Sequence, residues 1–285
     1  MHSIQVIRPG LYDTIQDLGR FGMMSLGVPL SGVLDTYSAK LANALLRNNV
    51  NCPVLEMTQT GPVLLFQKNA TVAITGADMN PKLNDKPVKM QTKLLVKIGD
   101  VLIFGKANFG CRSYLAVKNG FKTCLKLNSY SYFKGITPKS KLSKGQILRI
   151  GKQFSVANNT HAHIKTDYKH FDTDLIKVFK GPEFNLLTPK QQDFILGNMF
   201  TITKNNRMGY QFKTDSNLKN KIEILTSSVM PGTVQLTQSG KLIALMNDCQ
   251  TTGGYPRVLQ LTDEAISVLA QKNTSQKIKF KVIHL

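Results

Sequence analysis

Tryptophan is missing from the 285 residues, so Phe and Tyr carry the whole aromatic load. Acidic side chains are scarce, 17 against 37 Lys and Arg, which leaves a net charge of +20. Such an excess often marks a nucleic-acid or anionic-membrane binder. Here only seven of the basic residues are Arg, and the lysines are scattered singly with no run of the KKRK kind. Neither nucleic acid nor membrane is therefore an expected partner. The charge acts on solubility, or supplies a basic face for an acidic protein. Cysteine is limited to Cys52, Cys111, Cys124 and Cys249, with no CxxC spacing. That excludes a disulfide framework and leaves reduced thiols, none with a His close in sequence to activate it. No apolar run approaches the 18 residues of a membrane-crossing helix. The opening MHSIQVIRPG has no apolar core of a signal peptide, so the cytoplasm is the expected location. Neither GxxxxGK[ST] nor a GxGxxG at a strand–helix junction occurs, so no familiar nucleotide loop is expected. Charged residues are few at 19% and hydrophobic ones make up 42%, which excludes a disordered chain.

What is present is mostly short strands and turns. Val63–Phe66, Thr71–Ile74, Lys93–Val96, Val101–Phe104, Ser113–Val117, Ile147–Arg149, Leu175–Phe179, Ile222–Leu225, Thr233–Leu236, Leu242–Met246 and Ile278–Ile283 suit strands, many with apolar–polar alternation. Three helices stand out. Asp35 is a good N-cap for a helix near 35–48 with Leu41, Ala42, Leu45 and Leu46 on one face. Thr188 and Pro189 open a second over Thr188–Leu196, and Asp263–Gln271 carries Ile266, Leu269 and Ala270 on one stripe. The expected class is mainly β, built of barrels with a few short helices.

The two halves echo each other. Arg20-Phe21-Gly22 is answered by Arg207-Met208-Gly209, Gly61–Leu65 by Gly232–Leu236, and Val72–Asp78 by Ile243–Asp248, in the same order. This predicts two related β-domains, 1–127 and 175–285, joined by a polar segment 128–174 rich in Lys, Asn, Ser and Gly.

Four polar, glycine-rich stretches are candidates for chemistry: Gly10–Asp35, Thr75–Asp78, Asn206–Tyr210 and Asn247–Arg257. Glycines let backbone N–H groups approach anionic oxygens. Arg20 and Arg207 can clasp a carboxylate or phosphoryl group bidentately. Asp78 and Asp248 can orient an amide N–H or a water and are the expected catalytic groups. Gln16, Asp17, Ser31, Tyr210, Thr251, Thr252, Gly253, Gly254 and Tyr255 complete the expected substrate-binding set. Together they suit a small, planar, anionic amide. The same residues also fit a plainer account, in which the glycines make hairpin turns and each Asp caps a turn or pairs with an Arg. His161, His163, Asp167 and His170 have metal-ligand chemistry but fall in the linker-like stretch, so no metal is expected.

The run TIQDLGRFG…LGVPLSGVLD over Thr14–Asp35 resembles the signature of the biotin-dependent carboxyltransferase family, which includes allophanate hydrolase subunit 2, KipA-type proteins and 5-oxoprolinase C subunits. Glu56…Gly61-Pro62, Thr75–Asp78, Arg112–Val117, Arg207–Tyr210, Pro231–Gln235 and Gln250–Pro256 follow in family order. The resemblance implies tandem cyclophilin-like β-barrels. It also implies a subunit of an ATP-dependent 5-oxoprolinase, opening 5-oxo-L-proline to L-glutamate with a B-type (KipI-like) partner and an A-type subunit. ATP would then serve the complex, with its site possible on the partner, and no covalent biotin belongs to this chain. Alternatives within the family are a carboxyltransferase acting on urea or a related amide, and a KipA-like binding protein that antagonises a kinase inhibitor. Two family arginines are replaced. Asn128-Ser-Tyr-Ser-Tyr132 stands where a Gly-Ser-Arg-Ser-Thr-like run is usual, and Asp248-Cys249-Gln250 where Asp-Arg-Gln is usual.

Overall fold

The computed structural model describes residues 2–152, 169–214 and 218–284. It divides into two compact units, one of Met1–Gly19 with Ser31–Asp167, the other of Arg20–Leu30 with Tyr168–Leu285. The His161, His163 and Asp167 triplet lies outside the described residues.

The first unit runs β1 (Ser3–Arg8), β2 (Tyr12–Gln16), α1 (Thr36–Leu45), β3 (Val54–Thr58), β4 (Val63–Phe66), β5 (Ala70–Asp78), β6 (Lys82–Leu83), β7 (Lys86–Pro87), β8 (Lys93–Val96), β9 (Val101–Ile103), β10 (Phe109–Val117) and β11 (Ile147–Arg149). One sheet orders as β11-β1-β4-β9-β6-β7, the other as β2-β3-β10-β5-β8. Ile4, Val6, Leu64, Phe66 and Leu102 from the first sheet meet Ile15, Leu55, Met57, Ile74 and Leu115 from the second in one buried core. The outer face of the second sheet is covered too. Ala39 and Ala42 of α1, with Leu46, pack on Val54, Ala73, Tyr114 and Ala116. Burial on both faces explains why β10 reads RSYLAV over its inner half without strict alternation. Asp35 caps α1 as its sequence predicts, Oδ1 accepting the Ser38 N–H at 3.0 Å and Oδ2 the Ser38 hydroxyl at 2.6 Å.

The second unit contains α2 (Lys169–Asp172), β12 (Leu175–Lys180), α3 (Pro189–Gly197), β13 (Phe200–Asn205), β14 (Gly209–Lys213), β15 (Ser227–Ser228), β16 (Thr233–Leu236), β17 (Leu242–Leu245), β18 (Thr252–Gly253), β19 (Arg257–Leu261), α4 (Asp263–Ala270) and β20 (Lys277–Val282). Seven strands close into a barrel, β12-β19-β16-β17-β14-β13-β20, sealed by the parallel pairing of β12 with β20. Phe280 packs there against Phe200, tilted with centroids 5.5 Å apart, and against Phe212, edge-on at 5.7 Å. A reciprocal capping box between Thr188 and Gln191 opens α3, with Pro189 in its first turn.

The mainly β class stands. Ile222–Leu225 is a correction, for it forms no strand. Its alternation is real, but both edges of the neighbouring β16 are already paired, with β17 and with β19. The Asn220 side chain instead takes the Ile222 N–H at 2.8 Å, and Leu225 is left 89% exposed. Residues 128–152, part of the polar segment, fold into the first unit, where β11 pairs with β1. The second echo falls on β4 and β16, the third on β5 and β17. In the second unit β16 and β17 are hydrogen-bonded neighbours, whereas β4 and β5 lie in different sheets. In the first echo, Arg20 and Arg207 belong to the same unit.

Candidate functional site

In the first unit Asp17 is the centre of a buried hydrogen-bond cluster. Its Oδ1 accepts from Ser129 Oγ at 2.7 Å, Ser131 Oγ at 2.6 Å and Gly19 N at 2.9 Å, and Oδ2 from Tyr130 N at 2.7 Å. A carboxylate has about four acceptor positions, so Asp17 is filled by its own chain and acts as an anchor. Gln16 anchors the next turn, its Oε1 accepting Gly32 N at 3.1 Å while Nε2 donates to Thr14 Oγ1 at 3.0 Å and Tyr132 O at 3.3 Å. The Val33 N–H adds a bond to Asp17 O at 2.9 Å. These bonds hold Ser31 and Gly32 at φ +55° and +84°, the left-handed region. Ser31 is fully buried, and its hydroxyl finds no hydrogen-bond partner among the described residues. Gln16, Asp17 and Ser31 are thus brought together. Asp78 is not part of that patch. It is half-buried at the end of β5, where its Oδ1 caps a turn at Asn80 N and its carbonyl accepts from Asn108 N.

Beneath the Ser31 turn lies a buried set absent from the sequence-derived candidates. Glu56 Oε2 accepts Leu34 N at 2.8 Å and the Tyr114 hydroxyl at 2.9 Å, and that hydroxyl in turn accepts Asp35 N at 2.9 Å. Arg112 Nε stands 4.0 Å from Glu56 Oε1. Burial, then the charges of Glu56 and Asp35, push the Tyr114 phenol well above its ordinary range, so it stays a donor to Glu56. The available signal was a charged residue inside an otherwise apolar strand: VLEMT in β3 and RSYLAV in β10.

In the second unit Arg207 and Asp248 form a bidentate buried ion pair, Nε–Oδ2 2.8 Å and Nη2–Oδ1 2.9 Å, with Asp248 N bonded to Arg207 O at 2.9 Å. The expected anion binder and one of the two groups expected to orient an amide N–H or a water are therefore clasped to each other. The Thr251–Tyr255 loop begins three residues on. Thr252 pairs with Ser228 and Gly253 with Ser227. Gln235, buried in β16, donates from Nε2 to Tyr255 O at 3.3 Å, and a Cβ on Gly253 would lie 2.7 Å from that same nitrogen. Arg257 braces the loop from behind, bidentate to Glu183 at 2.7 and 3.0 Å and donating to Ser228 O at 3.0 Å. Thr252, Gly254 and Tyr255 are exposed, while Thr251 and Gly253 are half-buried. Tyr210 lies elsewhere: it is fully buried, its hydroxyl directed to Ala270 O and Lys272 O at the end of α4. Arg20 is buried in this second unit, its N–H closing the 20–30 loop on Leu30 O at 2.7 Å. Among the described residues no group of three or more His, Cys, Asp or Glu could hold a metal ion.

The model of the carboxyltransferase domain, subdomain A and B, matches residues 26–282. The chain belongs to the carboxyltransferase domain family. It is 34% identical to the 5-oxoprolinase C subunit of Haemophilus influenzae over 275 residues, covering 95% of this chain and 88% of that one. It is 41% identical to the urea amidolyase of Lachancea kluyveri over 132 residues, which is 46% of this chain and 7% of that protein. The crystal structure of TTHA0988 superposes with a TM-score of 0.88 at 26% identity, covering 99% of this chain. The chain spans 55% of the length of that structure.

The two departures from the family pattern have clear local consequences. In Asn128–Tyr132 the two serines of the usual run are present and hold Asp17, and Tyr130, at the position where arginine is usual, contributes its backbone N–H. Cys249 is buried in a small apolar cluster with Val229 and Leu245. Burial and the Asp248 charge push its thiol up to about 12, which removes it as a nucleophile at neutral pH.

Proposed function

We propose that this member of the carboxyltransferase domain family is the C-type subunit of an ATP-dependent 5-oxoprolinase that opens 5-oxo-L-proline to L-glutamate together with a B-type and an A-type subunit. The observation that carries this reading is likeness over nearly full length to the 5-oxoprolinase C subunit of Haemophilus influenzae. A lactam is a poor electrophile, and ATP supplies the phosphoryl activation that lets water attack its carbon. The sequence has neither of the familiar nucleotide-binding loops, so the reading assigns ATP to the assembled complex. What this chain offers is a set of fixed polar groups. The Arg207–Asp248 pair fixes the start of the Thr251–Tyr255 loop. Backbone N–H groups of that loop, with Thr251 and Thr252, are the proposed donors to the substrate's anionic oxygens. On the first unit, the buried Ser31 hydroxyl is the proposed donor or acceptor, held by Gln16 and Asp17. Arg20 and Asp78 keep proposed roles in anion binding and water positioning.

The test is co-purification with B-type and A-type partners, followed by glutamate formation that requires both ATP and 5-oxoproline. Arg207→Ala in that complex is expected to lose at least about 100-fold in rate, the scale of losing an oriented donor. Activity within about twofold would remove the pair from the site. The local identity to a urea amidolyase favours one second reading, transfer of a carboxyl group to urea or a related amide. Turnover that needs bicarbonate and is blocked by avidin would select it; avidin-insensitive turnover would reject it.

A further inference from the structure

A cleft on the first unit, separate from the Gln16–Ser31 patch, has a volume of about 390 Å³. Three of its lining residues, Lys122, Lys139 and Arg149, are cationic, and no acidic residue lines it. All three side chains are exposed, and none has an ion-pair partner among the described residues. The backbone fixes two of them side by side, since Lys122 N bonds to Arg149 O at 2.8 Å. Lys139 is fixed from the other wall, where its carbonyl accepts the Thr137 hydroxyl at 2.7 Å and that hydroxyl also accepts Phe133 N at 2.9 Å. Pro138, Ile147 and the Tyr132 ring supply apolar wall, and the Tyr132 hydroxyl is held by Gln146 Nε2 at 3.2 Å.

Three like charges facing one small volume repel each other, and water alone screens them incompletely inside a concave wall. A multiply charged anion relieves that repulsion. Exposed lysines and a bidentate arginine match phosphate oxygens, and the size matches a small organic ligand. We propose that this cleft binds a small phosphate-bearing molecule, with Lys122, Lys139 and Arg149 on the phosphate and Tyr132, Pro138 and Ile147 against the organic part. Thr123 and Tyr132 of the cleft bracket the 129–131 segment that holds Asp17, and the Thr123 hydroxyl bonds to Tyr130 O at 3.4 Å. The ligand would therefore sit one segment away from the candidate site while sharing none of its proposed residues.

Pyrophosphate is the probe, titrated calorimetrically into the full chain at low salt, with citrate as a carboxylate control. Saturable pyrophosphate binding is expected, weakened at least about tenfold in Arg149→Glu and in Lys122→Glu, both exposed positions at which melting should be unchanged. Cys124, an exposed thiol on the cleft wall, gives a second readout: its alkylation, followed by peptide mass, is expected to slow in saturating pyrophosphate. Binding indifferent to both charge reversals, no saturation, or an unprotected Cys124 would overturn the site. Citrate binding as tightly as pyrophosphate would overturn the phosphate class.

Discussion

Asp13 is a single side chain with a measurable signature. It lies in the glycine-rich Gly10–Asp35 stretch and is 2% exposed on β2, with one oxygen accepting Gly10 N and the other, Oδ1, without a partner among the described residues. Burial pushes its carboxyl up to about 7, against the smaller opposing effect of the Gly10 bond. The folded chain thus holds a proton there that the unfolded chain releases near pH 4. Unfolding releases that proton between about pH 4 and pH 7, so stability falls as pH rises through that window and levels off above it, by up to about 4 kcal/mol. Denaturant unfolding at pH 4.5 and pH 8 measures the difference. Asp13→Asn, which cannot ionise, is expected to flatten it; an unchanged slope would mean that Asp13 ionises as freely in the fold as in the unfolded chain. Asp17, four residues along, is surrounded differently: its two carboxyl oxygens accept four hydrogen bonds.

Turns and strands decide how these side chains are held, and two glycines separate structural from functional roles. A Cβ on Gly32 would meet the Leu18 carbonyl carbon at 2.7 Å, and φ is +84°. Backbone cannot step aside as a side chain can, so Gly32→Ala is expected to destabilise by more than the roughly 1 kcal/mol of left-handed strain alone, read as a lower denaturation midpoint. A Cβ on Gly253 meets only the movable end of Gln235, so Gly253→Ala should leave that midpoint nearly unchanged; equal losses for the two would deny the difference. At this scale much was legible in advance. The Asp35 and Thr188 caps follow from local chemistry, and β4, β8, β11 and β16 have the predicted bounds. Ile222–Leu225 was not legible, because pairing depends on a free neighbour and alternation says nothing of neighbours. The site was legible in part. Asp17 and Asp248 stood out as polar residues in glycine-rich loops, yet what each is bonded to depends on Ser129, Ser131 and Arg207, distant in sequence. Glu56 and Tyr114 were hidden because a buried charge inside a strand looks like an interruption of the pattern rather than its centre.

Across the whole molecule the +20 charge has a physical cost. Ion pairing offsets little of it: pairs such as Arg207–Asp248 and Arg257–Glu183 neutralise themselves locally, and only 17 acids are available for 37 bases. The remaining lysines repel one another more in the compact state than in the expanded one. Salt shortens that repulsion, since the screening length falls from about 10 Å at 0.1 M to about 3 Å at 1 M. Hydrophobic burial, by contrast, is not weakened by sodium chloride. The melting temperature is therefore expected to rise by a few degrees between low salt and about 0.3 M sodium chloride, a shift worth on the order of 1 kcal/mol for a chain of this length. Calorimetry across a salt series measures it. A melting temperature that stays flat or falls would mean that the excess lysines stand too far apart to strain the fold. Their charge would then act only on what approaches from outside, as an acidic partner surface would.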